Sequence, residues 1–306
     1  MVDVLIIGAG PAGLTAAIYA LRAEKSVLLL EKGAFGGQVT FSPKIENFPG
    51  SPGISGNELA DALVSQVLEA GGEFAFGEVL SLQKENGCFL AQTADSTYEA
   101  KAVIIASGAK HRPLGVPREQ ELCGHGVSYC AVCDGAFYKN KKVAVIGGGN
   151  SALQEAMLLA DLCEKVTVVQ NLPEFTGEEK LLHALSQKEN VELMPGYTVK
   201  ELLGAEELTG MKIKAVGSAD EQLIDCEGMF VAIGLQPQNE AFASLLPLDS
   251  MGYIPADEAC QTAVPGLFAA GDCRAKKIRQ ITTACADGTI AALGACDYLR
   301  EQEGAQ

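Results

Sequence analysis

Two stretches of this chain follow one plan: a short apolar run, closely spaced small residues, an amphipathic segment, then a second apolar run. The first is DVLIIGAGPAGLTAAIYALRAEKSVLLLE and the second KVAVIGGGNSALQEAMLLADLCEKVTVVQ. In the first, residues 4–7 read as a strand, the glycines at 8, 10 and 13 as the turn into a helix, and SVLLLE as a strand ending on Glu31. Gly8 permits the tight turn, Gly10 lets a pyrophosphate approach the backbone, and Gly13 lets helix and strand pack closely. The helix start then faces the phosphates with unpaired N–H groups. Glu31 stands 18 positions after Gly13, where a carboxylate accepts both ribose hydroxyls. One such glycine pattern is weak evidence. With strand, helix, strand and acid in register it marks a dinucleotide site.

The second stretch repeats the plan with a strand at 143–146, a turn at Gly147 and Gly149, Asn150 and Ser151 leading into a helix, and Ala152 in the third small position. It is either a second nucleotide site or a duplicated fold that has lost its ligand. Strand-like runs that end at glycine, AVIIASGA (102–109) and MFVAIGLQP (229–237), suit sheet strands closing near a ligand crevice. VPGLFAAGDCR (264–274) repeats the theme with an acid, and the segment from Arg279 to Glu301 reads as a helix. Cofactor features this far from Gly13 imply a first domain in two pieces. The expected fold class is therefore α/β, with two Rossmann-like, three-layer nucleotide-binding domains, the second inserted into the first. The proline-containing stretches HRPLGVP (111–117) and LQPQN (235–239) are the natural hinges. The expected boundaries are 1–113, 114–240 and 241–306.

At 306 residues, 48% of them hydrophobic, the chain can fill two cores. No apolar run reaches the length of a membrane span, and the N-terminal residues run straight into the first glycine pattern without a leader, so a cytoplasmic protein is expected. Its 23 basic and 39 acidic residues give a net charge of −16, which argues against nucleic acid or an anionic membrane as partner. Ten cysteines in a reducing compartment are not a disulfide framework. Only Cys130 and Cys133, in SYCAVCDGAFY, have motif spacing.

That spacing suits a zinc half-site, a redox disulfide or two core-filling thiols. Structural zinc needs four ligands, but there is no second CxxC, and His111, His125 and His183 are scattered. No metal site is expected. A redox pair fits better. At the start of a helix the two cysteines close a small ring, and the helix N-terminus favours a thiolate. Asp134 follows directly, placed to move protons during thiol–disulfide exchange. A chain that also carries a dinucleotide fold supplies an electron source, a flavin.

The segments GAGPAGLTAAIYALR, GGQV, IENFPG, CAVCDG, GGGNSA, GLQPQ, AAGD and RQ…T…DG…AA, in this order across the whole chain, resemble the low-molecular-weight thioredoxin reductases of bacteria. The resemblance implies a homodimeric enzyme with FAD in a two-piece domain and a pyridine-nucleotide-type domain inserted. It also implies swinging domains that bring the dithiol alternately to the flavin and to thioredoxin. Gly8, Gly10, Gly13 and Glu31 then bind the ADP half of FAD, and Gly37, Gln38 and Asn47 line the flavin side. Asp272 reaches the ribityl chain or pyrophosphate, and Arg279 with Gln280 flanks the isoalloxazine. Cys130 and Cys133 form the active disulfide, Asp134 is its proton donor and acceptor, and Cys133 is taken as the thiol nearer the flavin.

Some positions depart from the family. Cys273 and Ala286 stand near the expected flavin where an apolar residue and a glycine are usual. After the second strand of the inserted domain, NADPH-dependent members carry a basic cluster that clamps the 2′-phosphate. Here the run is VVQNLPEFTGEEK, with Lys180 as its only cation. NADPH is therefore disfavoured. A protein donor such as ferredoxin, as in clostridial ferredoxin-dependent relatives, is expected ahead of NADH, with Arg274, Lys276, Lys277 and Arg279 as its basic docking surface. Two rival functions remain: a reductase of peroxiredoxins, which carries thioredoxin-like modules absent ahead of Gly8, and a flavin sensor without turnover, which has no use for CxxCD.

Overall fold

The structure is a computed structural model that describes residues 1–42 and 44–304. The chain opens with β1 (Val2–Ile7), α1 (Pro11–Arg22), β2 (Val27–Glu31), α2 (Gly56–Glu69), β3 (Glu73–Phe76), β4 (Ser81–Glu85), β5 (Cys88–Gln92) and β6 (Thr97–Ile105). After β7 (Ala109–His111) come β8 (Val127–Ser128), the single turn α3 (Ala131–Asp134), β9 (Lys142–Ile146), α4 (Asn150–Ala160), β10 (Lys165–Gln170), α5 (Glu179–Ser186) and β11 (Val191–Pro195). Next are β12 (Tyr197–Leu203), β13 (Gly210–Ala215), β14 (Glu221–Asp225), β15 (Gly228–Val231) and β16 (Leu235–Pro237). The chain finishes with β17 (Leu267–Ala269) and the long α6 (Ile281–Gly304).

Two compact units result, Met1–Lys110 with Gln236–Gln306, and His111–Leu235. The chain crosses between them at 110/111 and 235/236, within the paired strands β7 and β16. The expected boundaries lay three and five residues later: Pro113 follows the crossing strand β7, whereas Pro237 closes β16 itself.

In the first unit the strands run β3-β2-β1-β6-β5-β4, and β17 pairs with the second half of β6. β1, β2, β3 and β17 are parallel to β6, while β4 and β5 form an antiparallel hairpin against its first half. Strands such as β1 and β2 are apolar almost throughout because both sheet faces are covered. On one face α1 and α6 pack over Ile6, Leu29 and Ile104, and on the other Leu5, Leu30, Phe89 and Ile105 form a second core. Each such fully buried side chain contributes about 1.5–3 kcal/mol. The close α1–α6 contact depends on small residues: a methyl at Gly288 would lie 2.2 Å from the Ala12 carbonyl oxygen.

The second unit repeats the theme with an all-parallel sheet, order β11-β10-β9-β15-β8. The antiparallel β12-β13-β14 covers one face, and α4 and α5 cover the other. In both units the chain leaves the first strand of the repeated pattern on one side and a later strand pairs on its other side. This makes a topological switch point at the carboxyl ends of β1 and β6, and another at those of β9 and β15. The expected α/β class with two Rossmann-like domains, one inserted, is what the chain adopts.

Candidate functional sites

At the first switch point the glycine pattern is under backbone constraint. Gly8 has φ +106°, and a methyl there would stand 2.3 Å from the carbonyl oxygen of Ala106, just past β6. A methyl at Gly13 would stand 1.9 Å from the Gly8 carbonyl oxygen. Gly10 differs. It is the N-cap of α1, and the nearest atom to an added methyl is the Gly36 carbonyl oxygen at 3.9 Å. The first and third glycines are needed by the fold, whereas the second leaves open space at a helix start. Glu31 is held at the end of β2 by two backbone donors, Ala9 N–H to Oε2 and Gly33 N–H to Oε1, each 2.8 Å. Its remaining lone pairs stay available to hydroxyls.

Gly37 lies alongside this turn, with φ +59° and space for a methyl only 3.5 Å from the Cα of Gly10. The Gln38 amide donates to the Ala109 carbonyl. The Asn47 amide donates to Gln280 Oε1 at 3.3 Å, joining positions 233 residues apart. Gly271, immediately before Asp272, approaches the first turn of α1, since a methyl there would be 2.8 Å from the Ala12 Cβ. Asp272 Oδ1 is buried without a hydrogen-bond partner. Burial raises its pKa, and Lys276 and Arg279 offset this in part. Arg279 donates weakly to the Asp272 carbonyl at 3.4 Å, and its guanidinium stacks 4.3 Å from the Tyr253 ring. A buried carboxylate oxygen without a donor requires one. Beside an anion-ready helix start and a strand-end glutamate, a polyhydroxylated dinucleotide provides it. The residues fit FAD.

One expectation about this region fails. Arg274 and Lys276 are not a docking surface, because both turn inward onto Asp287. The Arg274 guanidinium reaches Asp287 Oδ2 and Oδ1 at 2.9 and 3.1 Å, and Lys276 Nζ reaches Oδ2 at 2.9 Å. Asp287 also accepts the Gly271 N–H at 3.0 Å. Burial by itself would raise the Asp287 pKa, but these cations outweigh it and hold it below the usual range. Of the four, Lys277 alone is exposed, and Arg274, Lys276 and Arg279 are part-buried. Cys273 is fully buried, and Cys285 lies against the Pro11 carbonyl. Both are free thiols pushed up by burial, Cys273 to about 11.

In the second unit Cys130 and Cys133 are joined as a disulfide with Cα atoms 5.3 Å apart. The expected helix is shorter than the motif suggested: α3 is a single turn, continued by a 3₁₀ turn at Gly135–Tyr138. A full macrodipole is therefore absent, and the turn offers the Cys133 N–H, 3.2 Å from Cys130 Sγ. Ser128, which sequence reasoning passed over, accepts the Cys130 N–H at 3.1 Å and donates to Asp134 Oδ2 at 2.6 Å. The other Asp134 oxygen is buried and partnerless. Burial raises the Asp134 pKa, opposed by the Ser128 hydrogen bond. A carboxyl whose charged form is disfavoured by burial, close to a disulfide, is suited to moving a proton. Glu119, also missed, is buried and accepts the Leu114 and Gly115 N–H groups and the Tyr129 hydroxyl at 2.7–2.8 Å. No local pattern announces either residue, since a serine or glutamate in a loop has many other uses.

The second glycine turn mirrors the first. Gly147 has φ +137°, and a methyl would stand 2.4 Å from the Ala232 carbonyl oxygen just after β15 and 3.1 Å from Ala152 Cβ. Gly149 caps α4, which begins at Asn150 and Ser151. The strand end differs, however. Where the first unit has Glu31, the second has Gln170, whose side chain lies over Gly148 and accepts the Asn171 N–H at 3.0 Å. Glu178 sits at the mouth of the turn, its N–H donating to Asn150 Oδ1 at 2.8 Å and its Oε1 accepting the Asn150 amide at 3.1 Å. Among the described residues no His/Cys/Asp/Glu group could hold a metal ion, and no helix is long and apolar enough to cross a membrane.

Two dinucleotide folds, one bearing a dithiol turn with a buried acid, define a flavin-dependent disulfide oxidoreductase. The pyridine nucleotide-disulphide oxidoreductase family model matches residues 2–288. The chain is 42% identical over 300 residues to the thioredoxin reductase of Listeria monocytogenes, covering 98% of this chain and 94% of that one. It is 39% identical over 298 residues to a 34.2 kDa protein in the rubredoxin operon of Clostridium pasteurianum, covering 97% of each. The crystal structure of thioredoxin reductase from Streptococcus pyogenes matches with a TM-score of 0.94 at 40% identity, covering 98% of this chain and 99% of that one. The chain belongs to the pyridine nucleotide-disulphide oxidoreductases and, within them, to the thioredoxin reductase family. It is an enzyme, and its family uses FAD.

Proposed function

We propose that this chain works as a homodimer that passes electrons through FAD to the Cys130–Cys133 disulfide and on to thioredoxin. The observation that carries the reading is the redox turn itself: a part-buried disulfide with a serine-oriented Asp134 at its end, its pKa raised by burial. FAD supplies the two-electron transfer between an outside donor and the disulfide. Gly10 and the start of α1 hold its pyrophosphate, Glu31 its ribose hydroxyls, and Asp272 a ribityl hydroxyl. Gly37, Gln38, Asn47, Arg279 and Gln280 frame its ring. Reduction of Cys130–Cys133 takes two electrons and two protons and yields two thiols, with Asp134 relaying a proton. The Cys133 N–H favours a Cys130 thiolate, which attacks the disulfide of thioredoxin. Cys133 then displaces the reduced thioredoxin and re-forms the ring.

The donor is a protein of ferredoxin type ahead of NADH, with NADPH disfavoured. What supports this is the second glycine turn: Glu178 bound to Asn150, Gln170 in place of a carboxylate, and Lys180 as the only cation from Val168 to Lys180. A dianionic 2′-phosphate there meets an acid and no clamp. The inward turn of Arg274 and Lys276 leaves a docking acidic protein with Lys277 and little else on that stretch, which weakens the ferredoxin reading without favouring NADPH. Anaerobic titration with NADPH, NADH or reduced ferredoxin, following flavin absorbance, is the test. Rapid bleaching by micromolar NADPH overturns the donor assignment. Light scattering tests the dimer.

A further inference from the structure

Among the described residues three buried side-chain oxygens have no hydrogen-bond partner: those of Asp134, Glu155 and Asp272. Asp272 faces the flavin crevice and Asp134 serves the disulfide. Glu155 is left, and nothing in the chemistry above uses it. It lies on the second turn of α4, and α4 packs directly against the α3 turn that carries the disulfide. The N–H that bears on its carboxyl belongs to Ala131, the residue between Cys130 and Val132.

We propose that Glu155 is a positioning residue for the Cys130–Cys133 couple: packed under the α3 turn at the Ala131 N–H, its charge state sets how readily the reduced pair ionises. The inference rests on the reading of Cys130 and Cys133 as the redox pair. Burial raises the Glu155 carboxyl to about 7, offset only in part by the Ala131 N–H. Below that pH it is neutral and leaves the turn's N–H groups to a Cys130 thiolate. Above it, a second negative charge in a poorly solvated site opposes that thiolate. Asp134, also raised by burial, is the nearby group that could give a similar transition, and the test separates the two. On the redox side are Asp134 and Tyr138, the latter pushed up to about 12, and after α4 comes Cys163, at about 11. On β9 and β10, Lys142 and Lys165 pair with Asp225 and Glu192. On α5, which also packs on α4, the charged and titratable groups are Glu179, Lys180 and His183.

The test equilibrates the FAD-loaded enzyme with dithiothreitol, which is oxidised to its cyclic disulfide as the protein pair is reduced, from pH 6 to 8.5. The redox state of Cys130 and Cys133 and the alkylation rate of Cys130 are read by mass spectrometry. In Glu155→Gln the equilibrium at pH 8 is expected to shift about tenfold toward the dithiol, about 30 mV, with faster Cys130 alkylation and no difference at pH 6. Glu155→Asp, which keeps a carboxyl, is expected to retain the pH-dependent limb. Parallel profiles in the parent and Glu155→Gln, or an equal offset at every pH, overturn the proposal. So does a limb that survives Glu155→Gln but disappears in Asp134→Asn. Failure of the parent pair to exchange with dithiothreitol at all overturns instead the assignment of the redox pair, and this inference with it.

Discussion

Adding one methyl to the first glycine turn has opposite consequences at two positions three residues apart. Gly10 has φ −81° and ψ −176°, ordinary extended backbone for any residue, and the nearest neighbour of the new Cβ is 3.9 Å away. Gly10→Ala therefore fits the folded chain, and narrowing the unfolded ensemble stabilises it by about 0.4–1 kcal/mol. The methyl fills the space a pyrophosphate needs, however. Losing charge-assisted bonds to the α1 N–H groups costs about 1.5–3 kcal/mol, about ten- to a hundredfold in FAD affinity. At Gly13 the same methyl lands 1.9 Å from the Gly8 carbonyl oxygen and 3.1 Å from its carbon. Backbone meets backbone, so α1 must move off β1. Overpacking of this kind costs about 1–3 kcal/mol, and each kcal/mol lowers Tm by about 2–4 °C in a domain of this size. Thermal unfolding of flavin-free protein and FAD titration by flavin fluorescence separate the two effects. Gly10→Ala should melt at or above the parent and bind FAD poorly, while Gly13→Ala should melt lower. Parental FAD affinity in Gly10→Ala would refute the placing of the pyrophosphate at α1.

Three further outcomes are expected. Cys130→Ser and Cys133→Ser should each abolish thioredoxin reduction with flavin content unchanged, and Asp134→Asn should slow exchange by about 10²–10⁴; parental turnover in either serine variant would move the chemistry to another thiol. Ser128→Ala removes the hydrogen bond that favours ionised Asp134, so the Asp134 limb of the pH–rate profile should move to higher pH, and an unmoved limb would detach Ser128 from it. Asp287→Ala leaves Arg274 without its counter-ion and Lys276 with only Asp272, 3.8 Å away, and should cost about 3–5 kcal/mol. Because the folded Asp287 pKa is depressed, its contribution is present above the ordinary carboxylate range and lost as pH falls through the lowered value. Parent and Asp287→Ala stabilities, measured by denaturant unfolding, should therefore converge in acid.

The local sequence determined the parts whose physics is local. Glycines at positive φ, apolar strands covered on both faces, and the spacing of Cys130, Cys133 and Asp134 each depend on neighbours within a few positions. The two dinucleotide turns and the CxxC spacing were legible for that reason, and the inserted domain from the distance between such local patterns. Glu31 was legible too, because β2 delivers it to the turn at a spacing set by one helix and one strand. Tertiary structure decided whatever depends on where the chain returns. Arg274, Lys276, Lys277 and Arg279 read as an exposed basic run. Only the packing of α6 against α1 brings Asp287 beside the Gly271 turn and draws the first two cations inward. Asn47 meets Gln280 across most of the chain, and Glu155 reaches the Ala131 N–H only because α4 packs on α3. Ser128 orients Asp134 because the redox helix is one turn long, which brings residues six positions apart within 2.6 Å. Pairings of this kind leave no periodicity in the sequence, since the energy that selects them comes from burying charge or closing a core with distant segments.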